Sequence, residues 1–295
     1  MTWLPKWTWL AAALGPLFGC SAILAIYDPV IEGAPDASTA EGGALDATDE
    51  IAADAAADDA HHGDACIGCD ASIDAYDSGC PTKGGAMVVM GSLCIDRTEV
   101  TAADYQGFLA STTKPVQSAE CAWNADYVSS APLTPATRPV TGVDWCDAYA
   151  FCAWAGKHLC GLRRELDGGY LDKGQASSPN FSEFAAACTN FGAFSWPYGS
   201  SYVAGACNTD NDADAALEPV ANRASCQGPT PGLFDLVGNA WEWVDACDHF
   251  GEGGTNDTCL FLGGAYGTSG PETCASTSGS GRTFQGIDVG FRCCY

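Results

Sequence analysis

The fold turns on GLFDLVGNAWEWVDAC, residues 232–247, where tryptophans, carboxylates and a glycine–asparagine step crowd together. Such concentration suits either an active site or a structural signature. The surrounding chain decides between them.

The 295 residues suffice for one large domain or two small ones. Twelve Lys and Arg stand against 37 Asp and Glu, a net charge of −25. Nucleic acid is excluded as a partner, because its binding rests on neutralising phosphates with basic side chains. At the N-terminus Lys6 precedes an apolar stretch, Trp7 to Phe18, that is too short for a bilayer span and has the form of a secretory signal. LFGC at 17–20 then resembles the lipobox of bacterial lipoproteins, with Cys20 as the lipidated first residue of the mature chain. An ordinary signal peptide cut nearby is the other reading. Ser21, by analogy with bacterial sorting, directs the expectation to the outer membrane or cell surface, after secretion across the inner membrane.

Behind a signal peptide, 17 cysteines imply disulfides, since these persist in oxidising compartments. Setting Cys20 aside leaves an even number. The adjacent Cys293 and Cys294 are expected to reach different partners, because a bridge between neighbours is strained.

Ser21 to Lys83 is dominated by Ala, Asp and Gly and carries fourteen acidic residues against one basic. It lacks the apolar burial that offsets chain entropy, so residues 21–83 are expected to be a disordered acidic tether after a 1–20 signal. Within it His61, His62, Cys66, Cys69 and Cys80 admit two readings, a zinc site and disulfide pairing. From Gly84 the chain becomes rich in Trp, Tyr, Phe, Gly and Cys, and one domain is expected over 84–295. Thr101 is placed to cap a helix carrying Tyr105, Phe108 and Leu109. A second helix is expected with Val143, Cys146, Ala150, Ala153 and Trp154 along one stripe and Gly156 as its stop. Elsewhere the Gly, Pro, Asn and Ser density predicts short strands and long loops.

Conventional catalytic signatures are missing. There is no Gly-x-Ser-x-Gly elbow, no His-Glu-x-x-His pair and no phosphate-cradling loop. His158, at the end of the second helix, is expected to do no more than complement the helix dipole.

Four ordered stretches carry a resemblance: CIDRTEVTAADYQGFL from Cys94, RPVTGVDWCDAYAFCAWAGKHL from Arg138, GLFDLVGNAWEW from Gly232, and LGGAY…VGFRC from Leu262 to Cys293. Together they resemble the sulfatase-modifying-factor family of formylglycine-generating enzymes. The resemblance implies a single α+β domain, irregular and loop-rich, distantly akin to C-type lectins and here disulfide-rich.

The resemblance further implies calcium at Asp235, Gly238, Ala240 and Glu242, a hard-oxygen set of carboxylates and carbonyls. Gly238, Ala240 and Glu242 share parity, so an extended chain would present them to one side. The competing reading makes Trp241 and Trp243 core aromatics and pairs Glu242 with an arginine. A second calcium site would fall at Asn208 and Thr209, completed by Asp212 or Asp214, with a solvated acidic loop as the alternative.

The family oxidises a substrate cysteine with copper on two thiolates just after a Gly-Gly-Ser turn. Counting from Gly263 and Gly264 puts Ala265 on the serine, Thr268 on the first cysteine and Thr273 on the second. Soft thiolates suit Cu(I), so hydroxyls cannot replace them. Cys274, one position past the second site, is the one weak catalytic candidate. Leu262 replaces the basic residue before the turn. Cys160 and Cys188 flank an irregular insertion where the family has a helix and are expected to clasp it. The expected function is therefore a calcium-stabilised module that binds a protein or glycan from a lipid anchor. The alternative is an oxidase that forms formylglycine in sulfatase-type proteins, with copper as cofactor.

Overall fold

Thr101 and Asp144 start the two longest helices. The computed structural model describes residues 79–164, 170–209, 215–248, 254–255, 257–268 and 270–295, all within the unit Gly68–Tyr295. Cys20, His61, His62, Cys66, Cys69, Asp212, Asp214 and most of the expected tether lie outside the described residues. Helix α1 spans Ala102–Ala110, with the Thr101 hydroxyl accepting from Asp104 N at 3.1 Å. That bond satisfies one of the amides a helix start leaves open. Helix α2 spans Trp145–Trp154 and opens on a reciprocal capping box between Asp144 and Asp147. Gly156, just past its end, adopts φ +77° and turns the chain. Val143 falls outside the helix. A third helix, α3 at Glu183–Thr189, forms inside the segment expected to be irregular, capped by Ser182.

Two four-stranded sheets complete the domain. Strands β1 (Met87–Met90), β2 (Leu93–Asp96), β3 (His158–Leu159) and β8 (Cys293–Cys294) form the first, in the order β1-β2-β8-β3. Strands β4 (Trp241–Cys247), β5 (Thr258–Leu262), β6 (Thr277–Gly281) and β7 (Val289–Phe291) form the second, in the order β6-β5-β4-β7. All pairings are antiparallel except β4 with β7, which run parallel with Trp243 opposite Phe291. The expected short strands and long loops are what is seen.

An aromatic core joins α1, α2 and the second sheet. Tyr105, Phe108, Phe151, Trp243 and Phe291 are fully buried there, with Phe151 meeting Phe291 edge-on at 5.3 Å between centroids. Edge-on rings add attraction beyond the area they bury. Two indoles cross-brace the layers: Trp145 Nε1 donates to Val244 O at 2.9 Å, and Trp243 Nε1 donates to Val143 O at 3.1 Å.

Seven disulfides use every cysteine among the described residues: 80–94, 121–146, 152–293, 160–294, 188–274, 207–226 and 247–259. Cys293 and Cys294 do reach different partners, Cys152 and Cys160. The expected Cys160–Cys188 clasp is wrong. Pairing of β3 with β8 sets Leu159 opposite Cys293 and so brings Cys160 to Cys294, while α3 carries Cys188 to Cys274. Residues 79–83, counted in the expected tether, are tied to the domain: Cys80 bonds Cys94, and Lys83 Nζ donates to Trp154 O at 2.6 Å.

Candidate functional site

The Glu242 carboxylate and the Arg292 guanidinium meet because β4 and β7 run side by side. Glu242 sits opposite Gly290, two residues before Arg292. A Cβ on Gly290 would come within 2.5 Å of Val140 O, so only glycine lets the strands and that loop close together. Arg292 Nε and Nη2 each donate to one Glu242 oxygen at 2.6 Å. The same guanidinium donates to Asp96 O at 3.2 Å, Phe234 O at 3.0 Å and Asp235 O at 3.1 Å. One buried cation thus gathers a carboxylate and three carbonyls. Planar, forked donors make arginine the side chain suited to this task.

Two further carboxyls lie in the same interior. Asp235 Oδ2 accepts from Ala221 N at 2.5 Å. Glu99 Oε1 accepts from Asn239 Nδ2 at 2.9 Å, whereas Glu99 Oε2 is buried without a hydrogen-bond partner among the described residues. Burial raises all three acids. Asp235 is pushed up to about 6, with Arg292 pulling the other way. Glu242 is raised by burial against the pull of Arg292. Glu99 is raised well above its ordinary value, by burial and then by the charges of Asp235 and Glu242. Burial works against the charge of Arg292, but Glu242 and then Glu99 and Asp235 more than restore it.

Of the four expected calcium ligands, Asp235 and Glu242 are brought to one buried polar centre. The parity argument for Gly238 and Ala240 fails. Asp235, Gly238 and Asn239 have φ of +58°, +82° and +61°, so the chain coils through tight turns and becomes extended only at Trp241. A Cβ on Gly238 would lie 2.6 Å from Asn208 O, and this contact locks the turn to the Asn208 segment. The competing reading of the tryptophans and Glu242 is what the structure shows: Trp241 and Trp243 are in the core, and the arginine paired with Glu242 is Arg292.

The oxygens gathered here are of the hard type that a dication takes, although both Glu242 oxygens are already engaged by Arg292. The Glu242 carboxylate alone pairs with the guanidinium, Asp235 meets it through its backbone carbonyl, and Glu99 Oε2 has no partner among the described residues. No group of three His, Cys, Asp or Glu side chains among the described residues is arranged around a common metal position, so an ion here would draw on backbone carbonyls as well. A cavity of about 290 Å³ lined by Asp96, Thr98, Glu99, Asp104 and Ala221 reaches this centre.

Asn208 is tied to the same network, donating to Asn239 Oδ1 at 3.1 Å and to Ala216 O at 3.0 Å. Its Oδ1 accepts from Arg223 at 3.3 Å, and Thr209 is buried beside it. Sequence reasoning missed Glu99, Asn239 and Arg292, although each sits inside a stretch already singled out. Glu99 precedes the Thr101 cap, Asn239 lies in VGNAWEW, and Arg292 lies in GFRC.

The loop after Leu262 is differently built. Gly238 N donates to Gly263 O at 3.0 Å and Tyr266 N to Asn239 O at 3.0 Å, so the loop hangs from the polar centre. Thr268 Oγ1 accepts from Ala265 N at 2.9 Å and donates to Ala265 O at 2.5 Å. Thr273 Oγ1 accepts from Ala275 N at 3.2 Å. Cys274 cannot serve as a free thiol, because it is buried and bonded to Cys188. With every described cysteine oxidised, the residues do not fit copper. Trp241, Tyr266, Gly267, Thr268, Ile287 and Asp288 line a cavity of about 290 Å³ over this loop.

His158 departs from expectation. It lies in β3, not at the end of α2, and its Nε2 is 2.8 Å from Glu183 Oε2 while Nδ1 is 2.8 Å from Arg164.

The family profile described as Sulfatase-modifying factor enzyme 1-like domain matches residues 61–295. A curated relative, "Inactive C-alpha-formylglycine-generating enzyme 2" of Bos taurus, is 34% identical over 113 residues, covering 36% of this chain and 32% of the relative. The chain therefore spans about a third of that relative's length. Among solved structures, CarF is similar at 20% identity over 68% of this chain and 85% of its own, with a TM-score of 0.45. PvdO from Pseudomonas aeruginosa is similar at 19% identity over 68% and 79%, also with a TM-score of 0.45.

Proposed function

The chain belongs to the family of sulfatase-modifying factor enzyme 1-like domains, and from that premise we propose that it is a calcium-stabilised binding module that does not oxidise cysteine. One observation carries this reading. Thr268 and Thr273 stand where the family's thiols are expected, and the nearby Cys274 is sealed in a bond to Cys188. A two-thiolate copper site needs two free soft ligands, and this loop offers hydroxyls closed on their own turns. The relative from Bos taurus, itself named inactive, is consistent with the reading.

Calcium would be held by the Asp235 and Glu242 carboxylates with carbonyls of Gly238 and Ala240. When bound, the ion supplies positive charge to an interior in which carboxyls outnumber guanidinium groups. Asn239 orients Glu99, and Arg292 keeps Glu242 and the Asp235 backbone in place. The open face over Tyr266 and Thr268 would then receive a protein or glycan ligand. The proposal extends to an anchor at Cys20, holding the module outside the inner membrane on an acidic tether.

The test has two arms. Copper-loaded protein incubated with a Cys-x-Pro-x-Arg peptide is expected to yield no aldehyde by mass spectrometry, and aldehyde formation would overturn the reading. Calcium titrated into chelator-treated protein is expected to bind, and to bind more weakly in Asp235→Asn. An absence of uptake removes the metal from the proposal and leaves the rest standing.

A further inference from the structure

Arg138 is the exception among the described arginines. Arg97, Arg163, Arg164, Arg223, Arg282 and Arg292 each donate to a carbonyl, a carboxylate or a histidine. Arg138 Nε is buried and donates to nothing among the described residues, and no ion pair there includes its side chain. Arg223, Arg282 and Arg292 have a carboxylate, and Arg97 and Arg164 a carbonyl and a histidine; among the described residues the Arg138 side chain has neither kind of partner. A buried donor left unmade costs free energy, and a charged one costs more.

The backbone under Arg138 is fixed. Its N–H donates to Pro135 O at 3.1 Å, its carbonyl accepts from Ala102 N at 2.9 Å, and Val220 N reaches Thr137 O at 2.9 Å. The side chain lines a cavity of about 260 Å³ together with Pro132, Thr134, Thr141, Leu217 and Ile287. Ile287, 67% exposed, also lines the cavity over Thr268, as does its neighbour Asp288. The two cavities therefore adjoin across one exposed apolar side chain, with a cation in one and a carboxylate in the other.

We propose that the Arg138 cavity is an anion subsite that takes an acidic side chain of an extended polypeptide, whose apolar neighbour covers Ile287 and whose next residues reach the Asp288 cavity. The inference rests on the binding-module reading and gives its ligand a chemistry. A forked guanidinium recognises a carboxylate by paired hydrogen bonds. Opposite charges in the two cavities that share Ile287 match a polypeptide, which can carry both signs, and not an acidic glycan, whose charges share one sign. A monoanionic carboxylate also meets less repulsion from the surplus negative charge of the chain than a phosphate dianion does.

The test follows the Arg138 Nε–Hε resonance of ¹⁵N-labelled protein during titration. The probes are the tripeptide amides acetyl-Glu-Leu-Lys and acetyl-Lys-Leu-Glu, with versions carrying Gln in place of Glu as controls. At least one acidic peptide is expected to move the resonance saturably, and its Gln version to bind about tenfold more weakly. Arg138→Gln should bring the same loss with an unchanged melting temperature, and Arg138→Lys a smaller one. No saturable shift, or equal affinity in Arg138→Gln, overturns the proposal. Tighter binding of glucuronate or inorganic phosphate at Arg138 also overturns it, in favour of a glycan or a phosphate source. Peptide-induced shifts at the Tyr266 amide without movement at Arg138 reject the subsite and leave the binding module standing. Aldehyde formation in the copper assay rejects the module independently of Arg138.

Discussion

The interior beneath β4 and the loop after Leu262 are joined by backbone hydrogen bonds, yet their side chains treat polar groups in opposite ways. Below β4, Glu242, Asp235, Asn239 and Arg292 are buried and bound to partners far away in sequence, such as the 50-residue span from Glu242 to Arg292. In the loop, Thr268 and Thr273 bond only to backbone within three residues. The first arrangement holds distant segments in register. The second closes its hydroxyls on its own turns. The loop hydroxyls can therefore change without touching those distant side-chain bonds, although the loop backbone is joined to the interior through Gly263 O and the Tyr266 amide.

The sharpest way to break this contrast is to remove one side of the buried pair. Arg292→Met leaves Glu242 buried and unpaired, which costs about 3–5 kcal/mol in comparable cases. Urea unfolding should show that loss, and adding Glu242→Leu should recover part of it, since an apolar pair needs no desolvation. A single variant as stable as the parent would show that the pair does not hold the fold.

A second test uses the two capping-box acids of α2, which lie away from any metal candidate. Burial, then the neighbouring charge of Asp144, pushes Asp147 up to about 8, and burial pushes Asp144 up to about 6. A carboxyl held above its usual ~4 contributes stability that is complete below about pH 4 and is lost as pH rises through its folded value. Melting temperature in chelator should therefore fall from about pH 5 to about pH 9, with its alkaline part near 8. Asp147→Asn should flatten that part. A melting temperature that rises over the range would contradict burial of these groups as acids.

The same division explains what could be read in the sequence. Helices α1 and α2 were legible because their signals are local: a Thr101 cap, an apolar stripe and a Gly156 stop. Helix α3 was not, because all its residues are buried and no stripe distinguishes a face. Cysteine pairing was not legible either, since the bridges from Cys293 and Cys294 span 141 and 134 residues. VGNAWEW stood out by composition, yet its conformation was misjudged: alternation presumes an extended chain, and Gly238 and Asn239 are left-handed. That Glu242 meets an arginine was one of two open readings. Which arginine depends on β4 pairing with β7, a contact that no local pattern encodes.

The smallest effect belongs to the loop. Thr268→Val keeps the shape of the side chain but removes the hydroxyl that both accepts from and donates to Ala265. A partly buried hydrogen-bonding group of this kind contributes about 1 kcal/mol, equivalent to about 2–4 °C in melting temperature for a domain of this size. The loss should be local. Hydrogen exchange should quicken at the Ala265 amide, which loses its acceptor, while the Tyr266 amide remains protected because its partner is Asn239 O, and Trp243 in the core is unaffected. Quickened exchange at Trp243 or a loss as large as that of Arg292→Met would mean that the Thr268 hydroxyl supports the interior as well as its own turn. A local loss would confirm that the loop is free to vary, and that its hydroxyls mark a site whose chemistry can change without unfolding the domain beneath it.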